Sequence, residues 1–173
     1  MHNSMHNYES IIEDIKNLEK AAIAFGIEPF PIYFLGGSAC ILGKYTERAT
    51  RDFDFIDINY PAKLGKVFRL LGDYDILEYE STILSPLYKE RAIKLEQFKY
   101  LQIYILSKED IIVSKIIRLE PKDIEDIDKL IVQCDLKLTS NIIQEVLNRK
   151  DLYESKRRAF LDKLPVFRER YNV

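Results

Sequence analysis

From Ile32 to Ile58 the chain reads IYFLGGSACILGKYTERATRDFDFIDI, and this stretch constrains the fold more than any other. Ile32 to Leu35 is wholly apolar and short, the pattern of a buried strand, and it runs straight into Gly36-Gly37. A glycine doublet lets the backbone turn sharply, so SACIL can open a short helix with Ser38 near its start. RDFDFIDI then alternates. With a strand period of two, Phe53 and Phe55 face one way while Asp52 and Asp54 face the other. The chain must therefore build a sheet with an apolar face and an acidic one.

The flanking patterns supply helices. Ile11, Ile12, Ile15, Leu18 and Ala22 form one apolar stripe over Tyr8 to Phe25, ended by Gly26. Ala62 to Leu71 reads as a helix on the sheet despite Gly65, with Gly72 as its stop. Strands are expected at Tyr74 to Tyr79, Ala92 to Glu96 and Leu101 to Leu106, the last two joined as a hairpin. ESTILSPLYKER is ambiguous because Pro86 interrupts it. From Ser107 the period becomes helical. Ser107 and Asp110 match a capping box, Pro121 suits a first helical position, and Thr139 or Ser140 can cap NIIQEVLNR. A last charged helix is expected over Leu152 to Leu164, limited by Pro165. The fold class is α+β: a mixed sheet with packed helices over about 8–106, then a helical part over about 107–173, together one domain.

Composition narrows the function classes. The chain has 173 residues, 47% hydrophobic and 31% charged, the balance of a folded domain rather than a disordered one. The net charge of −2 gives no global attraction to nucleic acid. Cys40 and Cys134 belong to no CxxC and read as buried small apolar side chains in a reducing compartment. His2 and His6 sit in a polar N-terminal tail. No apolar run reaches transmembrane length and no signal pattern opens the chain, so a cytoplasmic protein is expected.

Two carboxylates on one strand face repel each other unless a cation, hydrogen bonds or water screen them. Magnesium suits such a pair, because it takes hard oxygen ligands, keeps several waters and joins carboxylates to phosphate. The glycine doublet adds a backbone that can approach a polyphosphate closely. Either element alone is weak, since glycine turns are common and D-x-D occurs on solvated strand edges. Their order, with Arg48, Thr50 and Arg51 between them, is the informative feature. Arg48 and Arg51 could bind phosphate or neutralise the carboxylates, and Thr50 could fix the loop through a hydroxyl-to-backbone bond.

In this order the segment resembles the nucleotidyltransferase superfamily of polymerase-beta-like fold. Within it, GGSACILGKYTERATRDFDFI resembles a bacterial group near the AbiEii-type toxin nucleotidyltransferases. SKEDIIVSKIIRLEPKDIEDIDKLI is similar to the same group's helical lysine followed by an aspartate-rich helix. The resemblance spans about Ile32 to Ile131. It implies that Gly36, Gly37 and Ser38 hold a triphosphate, that Asp52 and Asp54 bind metal, and that Lys115 meets a nucleotide phosphate. A third carboxylate on a neighbouring strand belongs to the pattern. Glu96 is the candidate, on a strand expected to be central, with Glu78 and Glu80 behind it. Asp123 and Asp126 would position Lys115 or a basic substrate. The implied cofactor is Mg²⁺, with Mn²⁺ as an alternative, and the implied substrate is a nucleoside triphosphate. The acceptor is left open among RNA, a protein side chain and a small molecule, and an antitoxin would be a partner if the chain is a toxin. The competing expectation is a catalytically silent module of the same fold that binds a nucleotide, a nucleic acid or a protein.

The end of the chain is the other basic feature. Arg149 to Arg170 holds eight basic and four acidic residues with aromatics interleaved. It reads either as a single-strand-binding surface or as a solvated helix with an apolar stripe.

Overall fold

Asn7 starts the first helix. Its side-chain oxygen accepts from the Ser10 amide at 2.9 Å while Ser10 Oγ accepts from the Asn7 amide at 3.0 Å, satisfying two amides that a helix start leaves open. Helix α1 (Tyr8–Ala24) buries Ile11, Ile15, Leu18 and Ala22. The computed structural model describes residues 5–50 and 52–173. The readings for His2 and Arg51 lie outside the described residues.

The chain forms two compact units. One runs through Leu77 and resumes over Ala92–Ile105; the other comprises Glu78–Arg91 and Leu106–Val173. The first carries α1, β1 (Pro31–Leu35), α2 (Gly36–Leu42), β2 (Phe53–Ile56), α3 (Gly65–Phe68), β3 (Tyr74–Leu77), β4 (Ile93–Lys94) and β5 (Gln102–Ile105). The fold is α+β, as expected, with one mixed sheet in the order β3-β2-β1-β5-β4. β1 is antiparallel to β2 and parallel to β5, and β2 is parallel to β3. α3 is a single turn flanked by 3₁₀ turns rather than the continuous helix expected over Ala62 to Leu71.

Alternation along these strands decides what is buried. Ile32, Phe34, Phe53, Phe55, Ile103 and Ile105 are almost wholly inaccessible, and Phe68 packs on Phe55 with ring centroids 5.0 Å apart. The Glu19 carboxylate on α1 accepts from the Tyr100 and Leu101 amides at 2.7 and 2.8 Å, which fixes the turn between β4 and β5. These β4 and β5 strands form the expected hairpin.

The second unit carries α4 (Tyr88–Arg91), α5 (Lys108–Lys115), α6 (Pro121–Ile131), α7 (Leu136–Leu147) and α8 (Glu154–Tyr171). Ser107 caps α5, its hydroxyl accepting from the Asp110 amide at 3.1 Å. The Asp110 carboxylate accepts from the Ser107 hydroxyl at 2.6 Å and from Arg91 Nε and Nη2 at 2.8 and 2.9 Å. Pro121 opens α6 as its ring geometry favours. α7 begins earlier than expected because Asp135, not Thr139 or Ser140, accepts the Lys137 and Leu138 amides at 2.9 and 3.1 Å. α8 continues through Pro165. Phe160, Leu164 and Phe167 on both sides of the proline are buried, and that packing offsets the lost amide bond. Cys134 is half-buried; its thiol donates to the Leu130 carbonyl at 3.0 Å, and burial pushes it up to about 12. Among the described residues, no helix is long and apolar enough to cross a membrane.

Candidate active site

β1 ends at Leu35, and α2 begins at the next residue with Gly36 at φ +66°. A left-handed backbone there turns the chain back without a loop, and only glycine adopts it without steric cost. In the antiparallel β1–β2 pair, Leu35 lies opposite Asp54. The Asp54 carboxylate is thereby brought against the turn: a β-carbon on Gly36 would lie 2.7 Å from Asp54 Oδ2. A β-carbon on Gly37 would lie 2.8 Å from Thr50 Oγ1. The two glycines thus let Asp54 and Thr50 pack directly against the backbone of the turn.

The side chains around this turn divide by role. Phe53 and Phe55 are sealed in the core, Asp54 is half-buried and Asp52 is exposed just before β2. Thr50 Oγ1 donates to the Asp52 carbonyl at 3.3 Å, the loop-fixing bond expected of it. Its backbone also pairs with His6, whose imidazole meets Asp14 at 3.2 Å and packs on Phe53 at 5.1 Å. His6 is thus built into the fold rather than lying in a loose tail. Arg48 lies half-buried in the same loop. Ser38 is wholly inaccessible; its hydroxyl donates to the Leu35 carbonyl at 3.1 Å and faces the Asp54 amide at 3.5 Å. It is placed to lock the turn to β2 rather than to offer its hydroxyl to phosphate.

Glu96 requires a correction. Its strand is not central: β4 has two residues, lies at the sheet edge and ends before Glu96, which is exposed. Strands β1 and β5 separate β4 from β2. Three strand spacings of about 4.8 Å each put Glu96 roughly 14 Å from Asp54, too far to share an ion. The sheet brings a different acid to Asp54. β2 and β3 pair in parallel with Asp75 opposite Asp54, so both side chains leave the same face from adjacent strands. Asp75 is exposed. Like charges directly opposite repel across a sheet, and a cation beside them would weaken that repulsion. The alternation Tyr74-Asp75-Ile76 repeats that of Phe53-Asp54-Phe55 and is the local signal that places Asp75 on this face.

Among the described residues, no three His, Cys, Asp or Glu side chains close on a common centre. The residues present still fit magnesium. One or two carboxylates with water and phosphate satisfy that ion, and Asp54 presents such a carboxylate beside a turn without β-carbons.

Lys115, Asp123 and Asp126 lie together in the second unit. Lys115 Nζ is 3.1 Å from Asp126 Oδ2 and 3.7 Å from Asp123 Oδ1, and all three residues are buried. The two aspartates hold Lys115 in place, the positioning expected of them. Arg118 completes the cluster, donating to both Asp123 oxygens at 2.8 and 2.7 Å, and the Glu120 amide adds a bond at 3.0 Å. Burial alone would raise the Asp123 carboxyl, but Arg118, Lys115 and that amide hold it below its ordinary value. Glu78, a reserve for the third acid, bonds the Tyr153 hydroxyl within the second unit.

Arginines of the C-terminal basic run are engaged locally. Arg149 is buried and donates to the carbonyls of Thr82, Leu84 and Tyr79 at 2.9, 3.1 and 3.1 Å. Arg157 and Arg158 pair with Glu154, and Arg170 pairs with Asp128. This is the helix-with-core-stripe arrangement rather than a continuous cationic surface.

Neither the curated proteins nor the solved structures provide a match to the chain. A family model described as "nucleotidyltransferase of unknown function (DUF6036)" matches residues 6–171. That match contains the glycine turn, the acidic strand and both units, and the chain belongs to this nucleotidyltransferase family.

Proposed function

We propose that the chain transfers a nucleoside monophosphate from a nucleoside triphosphate to an acceptor hydroxyl, with the triphosphate seated at Gly36-Gly37. The observation that carries this reading is the approach of the Asp54 carboxylate to a turn that lacks β-carbons. Asp52 and Asp54 would hold Mg²⁺, and Asp75 stands beside them as the third acid. Magnesium bound there would neutralise the carboxylates and phosphate and stabilise charge at the α-phosphorus. The turn contributes close backbone approach, and Thr50 and Ser38 keep it in register with β2. Attack of the acceptor oxygen on the α-phosphorus forms the new phosphoester bond. The bond to the bridging oxygen breaks, pyrophosphate leaves, and the acceptor proton passes to a carboxylate of this face or to water.

The resemblance to AbiEii-type toxins extends the proposal to a growth-inhibiting enzyme acting on RNA or protein, with a cognate antitoxin. Induced expression would then slow growth only when Asp52 and Asp54 are intact. A catalytically silent nucleotide-binding module is the second reading, favoured by the lack of a closed three-acid cluster among the described residues. The deciding experiment incubates the protein with each labelled triphosphate, Mg²⁺ and total cell extract, then separates RNA, protein and small molecules. Labelled acceptor from wild type and none from Asp52→Asn/Asp54→Asn supports transfer. Equal labelling by the folded double variant rejects it. Nucleotide binding without labelling or pyrophosphate release selects the silent module.

A further inference from the structure

The sheet face that carries Asp54 can be followed across β1 and β5. Leu35 opposes Asp54, so Tyr33, two residues back, leaves from the same face. Tyr33 pairs with Tyr104 on β5, and Tyr104 pairs with Lys94 on β4. The tyrosine rings stack, with centroids 4.7 Å apart and planes 10° from parallel. Neither ring is sealed: both residues are half-buried, while Phe34 and Ile103 on the opposite face are wholly inaccessible.

Tyr33 is three residues from Gly36, roughly 10 Å along the strand. This is about the reach of a ribose and its α-phosphate. Resting on the nucleotidyl-transfer reading above, we infer that the Tyr33–Tyr104 stack is the nucleobase subsite, accepting the base of the triphosphate against its aromatic surface. Stacking needs only a π face, so the subsite would accept all four bases. It would favour the larger purines. Burial, and then the neighbouring Tyr104, push the Tyr33 phenol above its ordinary value, so it remains a hydrogen-bond donor at neutral pH. A purely structural cross-strand pair would stabilise the sheet equally but would not distinguish ligands with and without a base.

Calorimetry on the full chain with Mg²⁺ provides that distinction by comparing ATP with tripolyphosphate. Wild type should bind ATP about 5- to 150-fold more tightly, the range expected from base stacking. Tyr104→Leu should reduce the ratio towards one with tripolyphosphate affinity unchanged, while Tyr104→Phe should preserve it. If Tyr104→Leu does not fold, the wild-type ratio and Tyr33→Leu provide the same comparison. Equal wild-type affinities overturn the base subsite and leave the transfer reading standing. An ATP preference that persists in folded Tyr104→Leu and Tyr33→Leu places the base elsewhere. Failure of wild type to bind either ligand overturns both inferences.

Discussion

Asp54 Oδ2 stands 2.7 Å from the point a β-carbon on Gly36 would occupy, so only glycine lets the carboxylate approach the turn this closely. Gly36→Ala would force the Asp54 side chain to move, and would also place alanine at φ +66°. Gly26 separates these effects: its φ is +65°, with nothing within 4 Å of an added β-carbon. Each alanine should cost about 1 kcal/mol in backbone strain. Only Gly36→Ala should reduce Mg-dependent nucleotide binding, by about tenfold or more. Thermal melts with calorimetry on both variants check this, and equal nucleotide affinity in the two would show that the close approach is incidental.

Gly37 and Thr50 should be coupled in the same way. Alanine at position 37 meets Thr50 Oγ1 at 2.8 Å and Thr50 Cβ at 3.1 Å. Thr50→Gly removes both atoms but keeps the backbone pairing with His6. Gly37→Ala should therefore weaken triphosphate binding, and adding Thr50→Gly should restore most of it. Coupling of about 1 kcal/mol or more in a double-mutant cycle is the expected outcome. Strict additivity would mean that the side chain does not bound the site.

Asp75 and Glu96 make opposite predictions. Asp75 lies in register with Asp54, whereas Glu96 follows an edge strand. In a transfer assay, Asp75→Asn should lower the rate by about a hundredfold, within the range for losing a group that handles a proton in the transition state. Glu96→Gln should leave the rate within about twofold of wild type. The reverse ranking would restore Glu96 and remove Asp75.

The contrast between these two acids also marks what local pattern can reveal. The apolar stripe of α1, the short strand before Gly36 and the Phe53–Phe55 alternation each report a period, and the structure contains each element. Strand order is not a local property. Ala92 to Glu96 looks apolar enough for a central strand, yet Ile93 is 49% exposed at the edge. The Asp54–Asp75 relationship depends on the β2–β3 register, which follows from long-range pairing rather than from either segment alone. Pro165 fails for a related reason: a local breaker was outweighed by buried residues on either side of it. At the site, residue types and their spacing mark Asp52, Asp54 and the glycines as candidates. The inward turn of the Ser38 hydroxyl and the burial of Lys115 depended on packing.

The ion cluster around Asp123 gives the last prediction, concerning stability. Its carboxyl is held below the ordinary value of 3.8, so the folded state binds this proton less readily than the unfolded chain. The associated stability is fully present above 3.8 and is lost as pH falls through the lower, folded value. Asp123→Asn should remove that component, so urea midpoints of variant and wild type should differ at neutral pH and converge in acid. Lys115→Met should be more damaging, because it leaves Asp123 and Asp126 buried without their shared ammonium. The expected loss is about 3 kcal/mol, at the lower end for breaking a buried pair because Arg118 still holds Asp123. A Lys115→Met protein as stable as wild type at pH 7, yet impaired in nucleotide binding, would instead assign the lysine to the ligand.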